Sequence, residues 1–210
     1  MKTVLLPVKA FGSAKRRLAP VCDEETRAGL ACAMLSDVLR ALSRTRGPER
    51  IIVFTAADEV THMARSFGFE VMIERSVEGH SAAVNRIVSE LLPNASRILS
   101  IASDLPRLAP TDIDFVMEAA ADPITLIPSQ DWTGTNGVVF IPPAHIVMEY
   151  GEGSFRRHLS KASAAGYPSD ILNVPGIAFD IDMPRDLQAF LDDPLKDSET
   201  WRYLSGRLSR

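Results

Sequence analysis

Cysteine is scarce in this chain of 210 residues: there are two, Cys22 and Cys32. Their spacing matches no metal-ligand pattern, and without a secretory signal both are expected to remain reduced thiols. Long apolar runs are missing as well. No stretch approaches the roughly 18 residues that a membrane span needs, and the apolar run within Met1–Val8 is too short for a signal-peptide core. A cytoplasmic protein without a membrane partner is expected. Excess positive charge is also absent, since 23 Lys and Arg face 27 Asp and Glu. The net charge of −4 argues against general nucleic-acid binding, which needs a basic face. Neither a Gly-x-Ser-x-Gly elbow nor a His-Glu-x-x-His motif occurs, which removes the commonest hydrolase signatures. The Walker-A spacing of a P-loop is missing too.

The remaining composition, 46% apolar and 24% charged, fits a soluble globular protein. A chain of this length should bury roughly 70% of the surface it exposes when unfolded, so it needs no disulfide or structural metal. Strand-length apolar runs alternate with segments of helical period. Strands are predicted at Thr3–Val8, Arg50–Thr55, Val71–Ile73, Arg97–Ala102, Ile124–Pro128, Gly137–Ile141, Ile171–Val174 and Ile177–Ile181. Asp23 is the expected N-cap of a long helix with an apolar stripe from Leu30 to Leu42. Further helices are predicted at Asp58–Phe67, Ala82–Leu92, Ser154–Ala165 and Pro184–Leu191. Another runs through Ala121, with Thr111 and Asp114 as a capping box. Strands alternating with helices imply an α/β fold: a mostly parallel sheet covered by helices, in one domain spanning residues 1–210. Residues 192–210 form a tail that either packs as an amphipathic segment or serves a homo-oligomer contact.

Ligands of such sheets sit beyond the carboxyl ends of strands, which singles out the loops after Val8, Ala102 and Ile181. The first carries Lys9, Lys15, Arg16 and Arg17 around Gly12 and Ser13. Cations spaced along flexible backbone suit a polyphosphate, although a solvated basic loop has the same composition. The second places Asp104 after a buried strand, where it can hold Mg²⁺ or serve as a turn residue. In the third, alternation sends Asp180 and Asp182 to one side of an extended segment. They repel unless a cation lies between them, and one of them can instead cap the helix at Pro184. Gly151-Glu152-Gly153-Ser154 leads into a helix whose exposed N–H groups can take an anion or form a plain cap. Arg156 and Arg157 oppose the helix dipole there unless an anion is bound. The loop Asp131–Gly137, with Thr133, Thr135 and Asn136, can contact a ligand or make a hairpin turn.

Taken together, these segments resemble the guanylyltransferases of coenzyme F420 biosynthesis, which activate 2-phospho-L-lactate, phosphoenolpyruvate or 3-phospho-D-glycerate with GTP. The matching pieces run in order from about Lys2 to Leu191. They are Pro7-Val8-Lys9 with Ala14–Pro20, Met34–Leu39, Ser103-Asp104-Leu105-Pro106, Gly134-Thr135-Asn136, Gly151–His158 and Asp180–Pro184. The Gly-Glu-Gly-Ser-Phe and Gly-Thr-Asn pieces are the most specific. The resemblance implies a single-domain, Rossmann-like nucleotidyltransferase fold. It places Lys9, Lys15 and Arg17 on the GTP phosphates, Mg²⁺ on Asp104 and Asp182, and the phosphorylated acid on Thr135, Gly151 and Ser154. Lys9, Lys15 and Asp104 would be the catalytic residues. The chain departs from the family where Gly-Leu-Asn is usual and Gly79-His80-Ser81 stands here, a position that bears on base preference. A relative acting on a sugar phosphate or molybdopterin, and a non-catalytic nucleotide-binding domain, are the other readings.

Overall fold

Alternation within the first strand decides which layer covers each side of the sheet. In the computed structural model, which describes residues 1–74 and 79–208, β1 spans Lys2–Pro7. Val4, Leu6 and the following Val8 point to one face, where they pack with Leu35, Val38, Leu39 and Leu42. Those four belong to α1, Glu24–Leu42. Leu5 points to the other face and joins Phe54, Val84, Ile87 and Phe155. Both sides of β1 are buried, as expected for a central strand of a largely parallel sheet.

The sheet contains β2 (Arg50–Thr55), β3 (Glu70–Ile73), β4 (Arg97–Ile101), β5 (Ile124–Pro128), β6 (Thr135–Phe140) and β7 (Ser169–Ile171). The strand order is β3-β2-β1-β4-β6-β5-β7. β6 is antiparallel to both of its neighbours, and every other pairing is parallel. This one reversed strand matters for the site. Its first residues, Thr135 and Asn136, lie at the same edge as the last residues of β4, and Ala102 N–H donates to Asn136 O at 2.8 Å.

The covering helices are α2 (Asp58–Ser66), α3 (His80–Leu91), α4 (Pro110–Ala119), α5 (Ser154–Ala164), α6 (Pro175–Ala178), α7 (Pro184–Asp192) and α8 (Glu199–Leu208). Asp23 caps α1 as expected, accepting from Thr26 N–H at 2.7 Å. Two local expectations are corrected. α4 begins at Pro110, whose fixed φ suits the first helical position. Asp112, not Asp114, closes its first turn by accepting from Ala109 N–H at 2.9 Å. Asp114 instead accepts from Arg46 and Gly47 N–H, at 2.9 and 2.8 Å. The predicted strand Ile177–Ile181 does not form. Pro175 has no N–H for a ladder and starts the helical turn α6. The carbonyls that a neighbouring strand would have taken accept from Asn136 Nδ2 and Gln130 N–H instead.

A third apolar cluster lies beside the sheet and ties the tail down. Leu204 of α8 packs with Leu30 and Met34 of α1, Leu18, Ile181 and Phe190. Asp37 fastens the start of α8 by accepting from Glu199 and Thr200 N–H at 2.7 and 2.9 Å. Leu18 ends the basic loop, and Ile181 lies between Asp180 and Asp182. One small core therefore anchors both charged segments. Among the described residues, no helix is long and apolar enough to cross a membrane.

Candidate active site

A cavity of about 1020 Å³ opens over the carboxyl ends of β1 and β4 and the start of β6. Its walls include Lys9, Lys15, Arg17, Asp104, Thr135, Gly151, Ser154 and Asp182, so every residue to which the resemblance gives a role faces one space, whereas Arg16, Arg156 and Arg157 are not among its lining. Asp180, Asn136 and Tyr150 join them.

The basic loop reaches this space through strained backbone. Lys15 adopts φ 54°, a left-handed conformation that costs a non-glycine residue of order 1 kcal/mol. The turn Arg16–Leu18 follows it, with Leu18 fully buried in the third cluster. This geometry turns the Lys15 ammonium inward, where it donates to Asp104 and, at 2.7 Å, to Asp182. Its side chain is only 5% exposed. Burial alone would lower its pKa, but the Asp104 and Asp182 carboxylates outweigh burial and hold it well above its ordinary value. Lys9 and Arg17 are exposed, and Arg17 Nη1 stands 3.7 Å from Asp182 Oδ2.

Asp104, Asp180 and Asp182 place one carboxylate oxygen each within 4.8 Å of one another. Burial, then the neighbouring Asp104 carboxylate, pushes Asp180 up to about 7, against a hydrogen bond from Asn136. Burial also acts upward on Asp182, but the Lys15, Arg17 and Lys9 cations bring it below its ordinary value. Asn136 Nδ2 fixes Asp180 at 3.1 Å. Asp186 fixes the backbone of the segment by accepting from Asp182 and Met183 N–H at 3.1 and 2.7 Å. Three converging carboxylate oxygens, one of them kept from ionising by burial and by its carboxylate neighbours, fit a hard divalent ion such as Mg²⁺.

The second group of residues is neutral. Gly153 precedes α5 at φ 71°, and Ser154 opens the helix, 1% exposed. Ser154 Oγ lies 3.4 Å from Thr135 Oγ1. Behind them His158 is fully buried, with Nδ1 at 2.9 Å from Thr135 Oγ1 and Nε2 accepting from Glu149 N–H at 2.9 Å. Burial, followed by the Lys161 and Arg157 cations, lowers His158 to about 4, so it is neutral near pH 7. Gly151 takes φ 116° at the cavity wall, a conformation L side chains rarely adopt. Arg157 turns to the preceding loop, donating to the carbonyls of Glu152 and Glu149 at 2.6 and 3.2 Å, while Arg156 is exposed. Ser81 Oγ accepts from Tyr150 N–H at 3.1 Å, linking α3 to the same loop.

His158 and the anchoring role of Asn136 were missed from sequence. The signal for His158 was present: it lies four residues after Ser154, hence on the same helical face. Asn136 gave no such signal, because its partners are 41 to 44 residues away in sequence.

Residues 1–204 match the family model described as guanylyl transferase CofC like. The phosphoenolpyruvate guanylyltransferase of Conexibacter woesei is 35% identical over 189 residues, covering 88% of this chain and 85% of the relative. The 2-phospho-L-lactate guanylyltransferase of Methanothermobacter thermautotrophicus is 28% identical over 188 residues, covering 89% and 83%. A protein of Desulfovibrio desulfuricans G20 described as a nucleotide-diphospho-sugar transferase has a similar fold, with a TM-score of 0.77 at 14% identity over 99% of this chain and 95% of its own. With a mostly parallel nucleotidyltransferase sheet, a matching family model over nearly the whole length and a relative at 35% identity, the chain belongs to the CofC-like guanylyl transferase family.

Proposed function

We propose that this enzyme transfers GMP from GTP to a small phosphorylated three-carbon acid and releases pyrophosphate, as a step of coenzyme F420 biosynthesis. The acceptor is phosphoenolpyruvate, 2-phospho-L-lactate or 3-phospho-D-glycerate. The observation that carries this reading is the meeting, in one cavity, of a cation–carboxylate cluster with a neutral hydroxyl pair. Lys15, Asp104 and Asp182 form the cluster, and Thr135 and Ser154 form the pair. A phosphate oxygen of the acceptor attacks the α-phosphorus of GTP. The bond from that phosphorus to the bridging oxygen breaks, and pyrophosphate leaves in line. The attacking group is already an anion at neutral pH, so no strong general base is needed, and positioning with charge neutralisation supplies the catalysis.

In this reading Lys9, Lys15 and Arg17 hold the triphosphate, and Thr135, Gly151 and Ser154 hold the acid. Mg²⁺ on Asp104 and Asp182, with Asp180 beside them, would offset the repulsion between the two anions. The test is to incubate the protein with GTP, Mg²⁺ and each of the three acids and to measure pyrophosphate. Release is expected with at least one. Its absence with all three would overturn the proposal, and parallel runs with CTP and UTP define the base preference.

A further inference from the structure

The mechanism above leaves one buried, ring-nitrogen-bearing side chain without a role. His158 is not among the residues lining the cavity, yet both of its ring nitrogens are engaged. Their partners differ in kind. The backbone N–H of Glu149 can only donate, so Nε2 must present its lone pair. A neutral imidazole then carries its proton on Nδ1. Nδ1–H faces Thr135 Oγ1 at 2.9 Å, and the Thr135 hydroxyl must accept there. Ser154 Oγ, at 3.4 Å, is the other neighbour that can donate to Thr135. A hydroxyl has one proton and two lone pairs. With both lone pairs facing donors, the Thr135 proton is left to point away from them, into the cavity that Thr135 itself lines.

The geometry points to His158 as a positioning residue that fixes the Thr135 hydroxyl as a hydrogen-bond donor to an anionic oxygen of the acceptor acid. This rests on the guanylyl-transfer reading for the identity of the acid, but the direction of the hydroxyl follows from the hydrogen bonds alone. A serine or threonine hydroxyl free to rotate accepts as readily as it donates. One locked as a donor favours an ionised oxygen and leaves a protonated or hydroxyl oxygen less well matched. His158 thereby acts on the acceptor and not on GTP, because its partners Thr135 and Glu149 lie outside the Lys9–Arg17 loop.

Two variants separate the ring's two duties. An asparagine at this position puts its amide nitrogen near the place of Nδ1 and keeps the donor to Thr135. A glutamine reaches the place of Nε2 and keeps the acceptor for Glu149 N–H, but loses that donor. His158→Gln is expected to raise the acceptor KM about tenfold to a hundredfold, the effect of a hydrogen bond to a charged group. The GTP KM should stay within about twofold. His158→Asn should recover most of the loss. Thr135→Val should match His158→Gln, and the double variant should lose no more than either single one. Equal KM values for His158→Gln and wild type, an equal rise in GTP KM, no difference between Asn and Gln, or losses that multiply would each overturn the inference. The wild-type protein gives a check that needs no variant to fold. Nitrogen-15 NMR of the His158 ring near pH 7 should show the Nδ1–H tautomer, and an Nε2–H tautomer or an imidazolium would refute it. If wild type turns over none of the acids, the guanylyl-transfer reading fails, while the ring measurement still decides the direction of the Thr135 hydroxyl.

Discussion

Lys15, Asp104 and Asp182 are held by charge, whereas Thr135, Ser154 and His158 are held by neutral hydrogen bonds with assigned directions. The first group joins segments 89 and 167 residues apart in sequence, and it rests on the third apolar cluster through Leu18 and Ile181. The second group is built on β6 and the first turns of α5. Its residues are buried against the cavity wall, since Thr135 is 7% exposed, Ser154 1% and His158 0%. The difference suits the two tasks. A cluster of opposed charges can exchange an internal cation for an added one as ligands arrive. A buried, neutral site keeps one geometry, and in the proposed reaction it would distinguish small acids by shape and hydrogen-bond direction, where an unpaired buried polar group is costly.

The comparison breaks most sharply at Asp104. Asp104→Asn removes a carboxylate from the charged group and leaves the hydroxyl pair untouched. Turnover at saturating substrates should fall about a hundredfold to a thousandfold, the range expected for losing a metal's charge stabilisation. Binding of the phospho-acid acceptor, measured by calorimetry, should change little. A kcat within a few-fold of wild type would remove Asp104 from the reaction. A smaller effect is expected at Lys15. In Lys15→Met, Asp104 and Asp182 lose their buried cation but stay 28% and 42% exposed. Solvent therefore moderates a loss that in a dry interior would be larger. Without divalent ions, urea unfolding should show about 2 kcal/mol lower stability. Millimolar Mg²⁺ should narrow the gap to wild type, because a divalent cation takes over between the same carboxylates. A gap that does not respond to Mg²⁺ would show that Lys15 and the metal do not share this place.

Most of the charged group was legible in the sequence, because its signals are local. Four cations follow one apolar strand, an aspartate follows another, and two aspartates alternate before a proline-led helix. Each can be read within about ten residues, and the carboxyl-edge rule for parallel sheets assembles them. The antiparallel direction of β6 was not legible. That direction is what carries Thr135 and Asn136 to the same edge, so the residues alone offered Thr135 and Ser154 as separate ligand contacts and only the resemblance joined them on one ligand. The false strand at Ile177–Ile181 has the same origin. Its apolar residues do reach a core, with Ile177 and Ile181 fully buried. The Asn136 amide, supplied from 41 residues away, displaces the ladder that periodicity alone would predict.

The neutrality of the second group gives the last of these expected effects and the one most specific to it. His158 has its pKa lowered in the folded protein to about 4 from an ordinary 6.5. At this group the unfolded chain therefore binds more protons than the native one between those two values, and the His158 contribution to stability must fall as pH drops through that window. The contribution is complete above pH 6.5, and by pH 5 about 2 kcal/mol of it should be gone. Asp180 acts in the opposite sense: raised to about 7, it takes up a proton in the folded protein over the same interval and adds stability of similar size, while Asp182, held below its ordinary value, stays ionised. Urea unfolding at pH 7 and pH 5 is therefore compared between wild type and His158→Asn, which keeps the Asp180 effect but cannot titrate at residue 158, and over this interval the variant should fare better than wild type by about 2 kcal/mol. If the two proteins change stability in parallel, His158 is not held neutral by its surroundings. The fixed proton on Nδ1 would then no longer account for the Thr135 hydroxyl.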